Sequence, residues 1–324
     1  MIFDETVASI TQIGLSWHRE TILRNSLRNA KHVQKTIRDI DPWPKPCLIV
    51  SAGPSLYRER ILARVGEQYA RSMDTGWQAP FLVVATDGAY IQCLKAGIRP
   101  DFVITLDPHP TRMVRWFGDP DFEENSKHDD YFSRQDLDVS FREDAQAENA
   151  RNIELVDASP VPLVIATTAP QAVVSRTEAF ARFWFSPLVD RPVQGSLTRI
   201  MCAATECPAL NTGGTVGTAA WAFAHQILKS PDIAAVGMDF GYYADTPLDK
   251  TQSWHMLGGD PAMYPTRTGH WGAGFTDPTY AWYMQNFLDL LAAADARIVN
   301  CSGAGLLMGP RVDCMELEAW LAKT

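Results

Sequence analysis

Short apolar runs alternate with amphipathic segments along most of the chain. Cys47–Val50, Phe81–Thr86 and Phe102–Leu106 are apolar without alternation, which predicts strands buried on both faces of a parallel sheet. Leu56–Arg71 and Ala89–Ala96 lie between these runs and have helical spacing of apolar residues. Strands and helices in this order predict an α/β fold with a doubly wound, mostly parallel sheet and right-handed crossovers.

Later apolar runs extend the same pattern. The candidate strands are Ile153–Val156, Leu163–Ala166, Phe183–Phe185, Ile233–Phe240 and Arg297–Ser302. The candidate helices are Thr218–Leu228, Thr276–Ala294 and Met315–Leu321. Residues 187–210 have no clear pattern.

The flanking and inserted segments predict the domain organisation. Apolar residues from Thr11 to Ile40 recur near a 3.6-residue period, and a proline-rich stretch follows, so residues 1–44 are interpreted as a helical leader with a stiff linker. Residues 45–324 then form the main domain. Residues 111–150 are highly charged, which favours a solvated excursion. Residues 241–275 form a long polar and aromatic loop that is typical of a lid.

The first strand ends in the sequence Ser51-Ala52-Gly53-Pro54-Ser55. Gly53 allows a sharp turn, and Pro54 suits the first turn of a helix. The N-terminus of that helix would favour an anion, most naturally a phosphate. An ordinary strand-to-helix turn has the same residues, so the stretch alone leaves both interpretations open.

Aspartates follow other predicted strands at the same edge of the sheet. Asp87, Asp107 and Asp239 each end a buried run, and ligands of doubly wound sheets bind at the carboxyl ends of the strands. Gly213–Gly217 open a helix rich in small residues, which allows a ligand to come close. This stretch is neither a dinucleotide fingerprint nor a P-loop. Together these positions predict a phosphate site; capping of helices or formation of turns is the alternative role of the three aspartates.

The composition and charge of the chain limit the kinds of molecule that it is expected to bind. The 324 residues carry a formal net charge of −9, which argues against broad binding to nucleic acid or anionic membranes. The longest apolar run is too short to span a membrane, and the N-terminus has no signal-peptide pattern, so we expect a cytoplasmic protein. The six cysteines have no metal-binding spacing, and no metal site is predicted.

Several motifs resemble the 6-hydroxymethylpterin diphosphokinase MptE-like family, most closely its Maf (motility associated factor) flagellin glycosyltransferase branch. The matching stretches are Val50–Leu56, Thr86–Ala89, Gly97–Pro108, Gly213–Gly217, Val236–Phe240 and Val299–Leu307. The chain is also distantly similar to bacterial sialyltransferases that use CMP-activated sugars. These resemblances imply a Rossmann-like, sialyltransferase-like fold and a nucleotide-dependent transferase.

The sialyltransferase resemblance implies a role for each part of the site. Gly53, Pro54 and Ser55 would hold the nucleotide phosphate, and Tyr242 or Tyr243 would donate a hydrogen bond to the leaving phosphate. A histidine before the late helix would be the general base, with His270 as first choice and His255 as second. The predicted nucleotide-binding residues are Ser51, Gly53, Pro54, Ser55, Asp87, Asp107, Gly213, Gly214, Thr215, Gly217 and Asp239.

Three functions remain open on the sequence. The first is transfer of a sialic-acid-like sugar from a CMP-sugar to a glycan or protein acceptor. The second is an ATP- and Mg²⁺-dependent pterin diphosphokinase, which is weakened because Asp107-Pro108-His109 offers one carboxylate where the archaeal kinases carry an acidic cluster. The third is a nucleotide-binding module without catalysis. The leader and the acidic excursion are candidate surfaces for a homo-oligomer.

Overall fold

A central sheet of nine strands organises the protein, whose computed structural model describes residues 2–74, 79–126 and 139–324. Every strand pair in this sheet is parallel, and the order is β12-β11-β7-β1-β2-β3-β4-β5-β6. Its strands are β1 Cys47–Val50, β2 Leu82–Thr86, β3 Phe102–Thr105, β4 Leu163–Ala166, β5 Arg182–Pro187, β6 Ala209–Leu210, β7 Ile233–Val236, β11 Ile298–Asn300 and β12 Val312–Cys314.

Helices cover both faces of the sheet. They are α1 Ile2–Asn29, α2 Pro54–Arg58, α3 Ile61–Asp74, α4 Asp87–Lys95, α5 Phe122–Ser126, α6 Val139–Ala158, α7 Gln171–Arg176, α8 Leu197–Thr205, α9 Val216–Gln226, α10 Pro278–Ala293 and α11 Leu317–Leu321. Alternate residues of β1 point into two cores: Leu48 packs in the core under α3, α4 and α11, and Ile49 in the core under α9 and α10. The doubly wound fold predicted from the sequence is confirmed.

The strand order places a topological switch point between β1 and β7. From β1 the chain moves outward through β2 to β6, and it then returns to the other side of β1 as β7. The loops after β1 and β7 therefore leave the sheet side by side at its carboxyl edge. Ligands of open α/β sheets bind in the crevice at such a point, so this edge is where a site is expected.

A small antiparallel sheet lies within residues 241–275. Its strands are β8 Tyr242–Tyr243, β9 Thr266–Gly269 and β10 Gly272–Phe275, in the order β8-β10-β9. Tyr242, Met263, Tyr264 and Phe275 form a separate apolar cluster beneath it. We call residues 241–275 the lid segment.

Three sequence predictions are wrong in this structure. Ile153–Val156 lies in α6 and not in a strand. The leader helix ends at Asn29, because the chain turns there and Ile37 enters the core. The charged excursion is not wholly solvated, since Met113–Phe117 form a buried 3₁₀ turn against α4. In each case contacts with distant parts of the chain override the local pattern.

Candidate functional site

A cleft of about 820 Å³ opens at the carboxyl edge of the sheet. The loops after β1, β2, β3, β6 and β7 form its floor, while α10 and α1 contribute walls. This volume lies within the range of small-molecule and cofactor sites. The cleft also spans the topological switch point, where the fold predicts a ligand.

The structure brings the predicted nucleotide-binding residues together on this cleft. Ser55 is the exception and lies buried behind its wall. The residues that line the cleft are Ser51, Gly53, Pro54, Asp87, Asp107, Gly213, Gly214, Thr215, Gly217 and Asp239. Agreement among segments so far apart in sequence supports a common site.

The Gly-Pro-Ser turn is organised differently from the predicted phosphate cradle. The N–H of Ser55 donates to Asp239 Oδ2 at 2.7 Å, and its hydroxyl donates to Oδ1 at 2.6 Å. The N–H of Gly53 donates to the carbonyl of Gly237 at 2.9 Å, and Pro54 has no N–H. A protein carboxylate therefore occupies the N-terminus of α2. This corrects the role expected of Gly53, Pro54 and Ser55 as phosphate donors.

Gly53 instead allows the two loops of the switch point to touch. A Cβ at this position would lie 2.7 Å from Asp239 Oδ2 and would also collide with the carbonyl of Gly237. Only glycine permits that approach. The turn after β1 is thus in direct contact with the turn after β7, and the hydrogen bonds of Asp239 with Ser55 are part of this contact.

The N-terminus of α9 is the better anion site. Thr215 caps this helix by accepting the N–H of Thr218 at 3.1 Å. The N–H groups of Val216 and Gly217 have no carbonyl four residues back within the helix, and both residues line the cleft. The positive end of the helix dipole therefore faces the cavity.

Ser51 adds a hydroxyl to this helix end. Its side chain is 6% exposed and lines the cleft, and its Oγ has no hydrogen-bond partner among the described residues. A Cβ on Gly217 would come within 2.9 Å of that Oγ, so the hydroxyl lies directly beside the first turn of α9. A buried hydroxyl without a partner is costly unless a ligand supplies one.

Asp87 is a buried carboxyl on the floor of the cleft. Its Oδ2 accepts a hydrogen bond from the Thr105 hydroxyl at 2.7 Å, and its Oδ1 accepts the N–H of Gly88 at 2.7 Å. Burial, with a smaller contribution from the charge of Asp107, raises the pKa of Asp87 to about 7. This carboxyl can therefore exchange a proton near neutral pH.

Sequence reasoning missed several cleft residues. Arg112, Met113 and Trp116 line it from the segment taken as a solvated excursion, and His18 lines it from α1. The apolar pair Trp116-Phe117 within a charged stretch was the available signal for burial. His18 carried no signal, because only the packing of α1 against α8 and α10 brings it to the cleft.

The predicted catalytic tyrosines have structural contacts in the lid segment. The Tyr242 hydroxyl donates to Asp277 Oδ2 and accepts the N–H of Gln252, both at 3.1 Å. The Tyr243 hydroxyl donates to Glu59 Oε1 at 2.8 Å. Neither tyrosine lines the main cleft; both line a smaller cavity of about 140 Å³ beneath the lid segment. The structure thus places both tyrosines outside the cleft that brings the predicted nucleotide-binding residues together.

The two predicted general bases also lie outside the cleft. His270 is exposed at the hairpin between β9 and β10, and His255 is exposed in the lid segment. Both histidines are exposed for the same reason, because the lid segment folds as a separate small sheet and its turns lie in solvent. His18 is the one histidine of the described residues that lines the cleft.

Metal-binding clusters and membrane-spanning helices are both absent from the described residues. No group of three or more His, Cys, Asp or Glu side chains is arranged to hold a metal ion there. None of the helices described combines the length and apolar character that a bilayer crossing needs.

The fold and cleft define a doubly wound α/β protein with a ligand-sized cavity at its switch point. Residues 20–123 match the family model described as 6-hydroxymethylpterin diphosphokinase MptE-like. The MptE-like resemblance predicted from the motifs is confirmed over that stretch. Among curated proteins, none matches the chain.

A solved structure shares the fold. It is the Maf glycosyltransferase from Magnetospirillum magneticum AMB-1, with a TM-score of 0.55 and 14% sequence identity. The similarity covers 91% of this chain and 37% of that one. The chain therefore spans a little over a third of the length of the Maf structure. The predicted likeness to the Maf branch is confirmed at the level of the fold.

Proposed function

We propose that the protein is a glycosyltransferase that moves a sialic-acid-like sugar from a CMP-sugar donor to a hydroxyl of a glycan or protein acceptor. The observation that carries the proposal is the position of the Ser51 hydroxyl, which has no hydrogen-bond partner among the described residues, beside the N-terminus of α9 in the cleft. Backbone N–H groups and a hydroxyl in fixed positions stabilise charge that develops on a departing phosphate. The fold shared with a Maf glycosyltransferase supports the same class of reaction.

The structure suggests how the donor would lie. Its phosphate would accept hydrogen bonds from the N–H groups of Val216 and Gly217 and from Ser51. Arg112, which also lines the cleft, would attract the negative charges of the phosphate or the sugar carboxylate. Because His255 and His270 lie outside the cleft, neither is retained as the general base.

A pterin diphosphokinase is the second candidate, because the family whose model matches residues 20–123 is named for that activity. That reaction would require carboxylates for Mg²⁺ between phosphates. Within the described parts of the chain, no three His, Cys, Asp or Glu side chains are grouped so that they could hold a metal ion. This arrangement favours the sugar transfer.

Thermal-shift and calorimetric titrations with CMP, CDP, AMP and ATP, each with and without Mg²⁺ and a pterin, test the proposal. We expect CMP to bind without Mg²⁺. The Ser51→Ala variant should bind CMP about tenfold more weakly, the loss of about one hydrogen bond to a charged group.

Ser55→Ala is the matched control, because its hydroxyl contacts Asp239 and not the cleft. It should lower the melting temperature and leave the dissociation constant for CMP unchanged. Preferential stabilisation by ATP with Mg²⁺ and a pterin would refute the sugar-transfer proposal in favour of the kinase. Equal weakening by both alanine variants would refute the assigned phosphate position.

A further inference from the structure

Asp87 and Ser51 follow neighbouring strands of the sheet, and both line the cleft. β1 and β2 pair in parallel with Val50 opposite Ala85, so the segments that leave these strands begin side by side, about 4.8 Å apart. A Cβ on Gly88 would lie 3.0 Å from the Ala52 Cβ, which confirms that the two loops remain in contact. Ser51 and Asp87 therefore contact the same part of the cleft from adjacent strand ends.

Two hydrogen bonds fix the orientation of the Asp87 carboxyl. Thr105 on β3 and the first turn of α4 each donate one hydrogen bond to it, and the residue is 3% exposed. A carboxylate oxygen can accept more than one hydrogen bond. Each oxygen thus keeps capacity for a second hydrogen bond, and Asp87 lines the cleft.

The chemistry of the proposed transfer needs a proton acceptor and no proton donor. A CMP leaving group departs as a stable phosphate anion, whereas the attacking hydroxyl must lose its proton. Among the carboxylates that line the cleft, Asp239 binds both the N–H and the hydroxyl of Ser55 and so serves to hold the N-terminus of α2. Asp107 and Asp289 are exposed. Asp87 is the buried carboxyl that remains for this role.

We propose that Asp87 is the general base of the transfer, an inference that rests on the proposed function. The acceptor oxygen forms a bond to the anomeric carbon as the bond from that carbon to the phosphate oxygen breaks. CMP leaves with the bonding electron pair, and the acceptor proton moves to the Asp87 carboxylate. Release of that proton to solvent restores the enzyme.

The charged groups around Asp87 set the direction of each test. Asp107 follows β3, Arg112 and Arg115 belong to the segment packed on α4, and the Lys95–Glu148 ion pair joins the far end of α4 to α6. The Thr105 hydrogen bond lowers the pKa of Asp87, and the charge of Asp107 raises it. Removal of the Thr105 hydroxyl should therefore raise the pKa of Asp87, and removal of the Asp107 charge should lower it.

The experiment measures kcat/KM for CMP release from CMP-N-acetylneuraminate, with water or a supplied glycan as acceptor, across neutral pH. The wild type should gain activity as pH rises, with an apparent pKa of about 7. Asp87→Asn should lower kcat/KM by about 100-fold or more while it retains affinity for CMP. Thr105→Val should shift the acidic limb of the pH–rate profile to higher pH, and Asp107→Asn should shift that limb to lower pH.

Two controls separate this role from its alternatives. Asp41→Asn changes an exposed carboxylate in the proline-rich linker and should alter neither the rate nor the limb. His18→Ala tests the histidine on α1: if that variant abolishes the limb and Asp87→Asn does not, Asp87 is not the base. Thr105→Val and Asp107→Asn both retain the Asp87 carboxyl and its hydrogen bond from the N–H of Gly88, so the directions of their shifts decide the question even if Asp87→Asn fails to fold.

The two proposals fail in different ways. A wild type that binds no CMP and releases none would refute the proposed function and the role of Asp87 with it. A wild type that turns over, with Asp87→Asn within threefold of its rate and no shift of the limb in the neighbour variants, would refute the role of Asp87 alone.

Discussion

The buried carboxyl of Asp87 lowers the stability of the folded protein at neutral pH, because burial at the cleft disfavours its charged form. Folding places this carboxyl in a buried site where its pKa is about 7, whereas an aspartate of the unfolded chain titrates near 3.9. Between these values the folded protein binds more protons than the unfolded chain. The free energy of unfolding therefore falls as pH rises through this window. Such destabilised groups are common at functional sites.

Asp87→Asn should consequently stabilise the protein at neutral pH. The asparagine has no charge to bury, so the free energy of unfolding should exceed that of the wild type by about 2–4 kcal/mol above pH 7. This excess should shrink as pH falls and disappear below about pH 3, where the wild-type carboxyl is protonated in both states. Urea denaturation at several pH values measures the difference. A difference that does not change with pH would show that Asp87 has an ordinary pKa.

Asp239 shows why a correct residue can be predicted with the wrong partner. Its place at the end of β7 follows from the sequence, but its contact with Ser55 joins residues 184 positions apart. A short turn entering a helix indicates an anion at the helix start. The sequence does not reveal whether that anion is a ligand or a side chain of the protein.

Elements with a strong apolar pattern were predictable, and elements fixed by distant contacts were not. The runs that became β1, β2, β3 and β7 are buried throughout, and their carboxyl ends supply six of the ten predicted residues that line the cleft. The lid segment was recognised as a loop, but its internal sheet depends on pairing between Tyr242–Tyr243 and β10, about 30 residues away. The histidines were misplaced for that reason.

The lid segment gives a prediction at the scale of an element. Tyr242 connects it to α10, because its hydroxyl donates to Asp277, which caps that helix, and accepts the N–H of Gln252. Gln252 lines the cleft. Tyr242→Phe should leave a buried carboxylate and an N–H each without one partner, at a cost of about 1–3 kcal/mol.

The loss should be concentrated in the lid segment. Hydrogen exchange should accelerate at Gln252 and its neighbours in the Tyr242→Phe variant, while β1 and β2 remain protected. Tyr264→Phe is a suitable comparison, because that hydroxyl bonds only Thr251 within the lid segment and not α10 among the described contacts. Acceleration of equal size throughout the sheet would contradict this assignment of Tyr242.

At the scale of the molecule, α1 is joined to the sheet by buried polar contacts. Asn29 Nδ2 donates to the carbonyls of Thr167 and Ala169 at 2.9 and 2.8 Å, and Asn25 Nδ2 donates to the carbonyl of Thr168 at 2.8 Å. Thr168 lines the cleft, as do Ile22 and His18 of the same helix. The helical leader therefore helps to form the cleft, although the boundary after residue 44 remains a prediction.

Asn29→Ala should test how closely α1 and the sheet are coupled. It removes both donors from buried carbonyls after β4, so the free energy of unfolding should fall by about 2–4 kcal/mol. Arg28→Ala is the matched control, because that neighbour on α1 is exposed, and it should change stability by less than about 0.5 kcal/mol. Since α1 shares contacts with α8 and α10, the variant should still unfold in one transition by circular dichroism and by tryptophan fluorescence. An early loss of helical signal that precedes the unfolding of the sheet would instead mean that the leader folds as a separate unit, and the cleft would then lose one wall without the collapse of its floor.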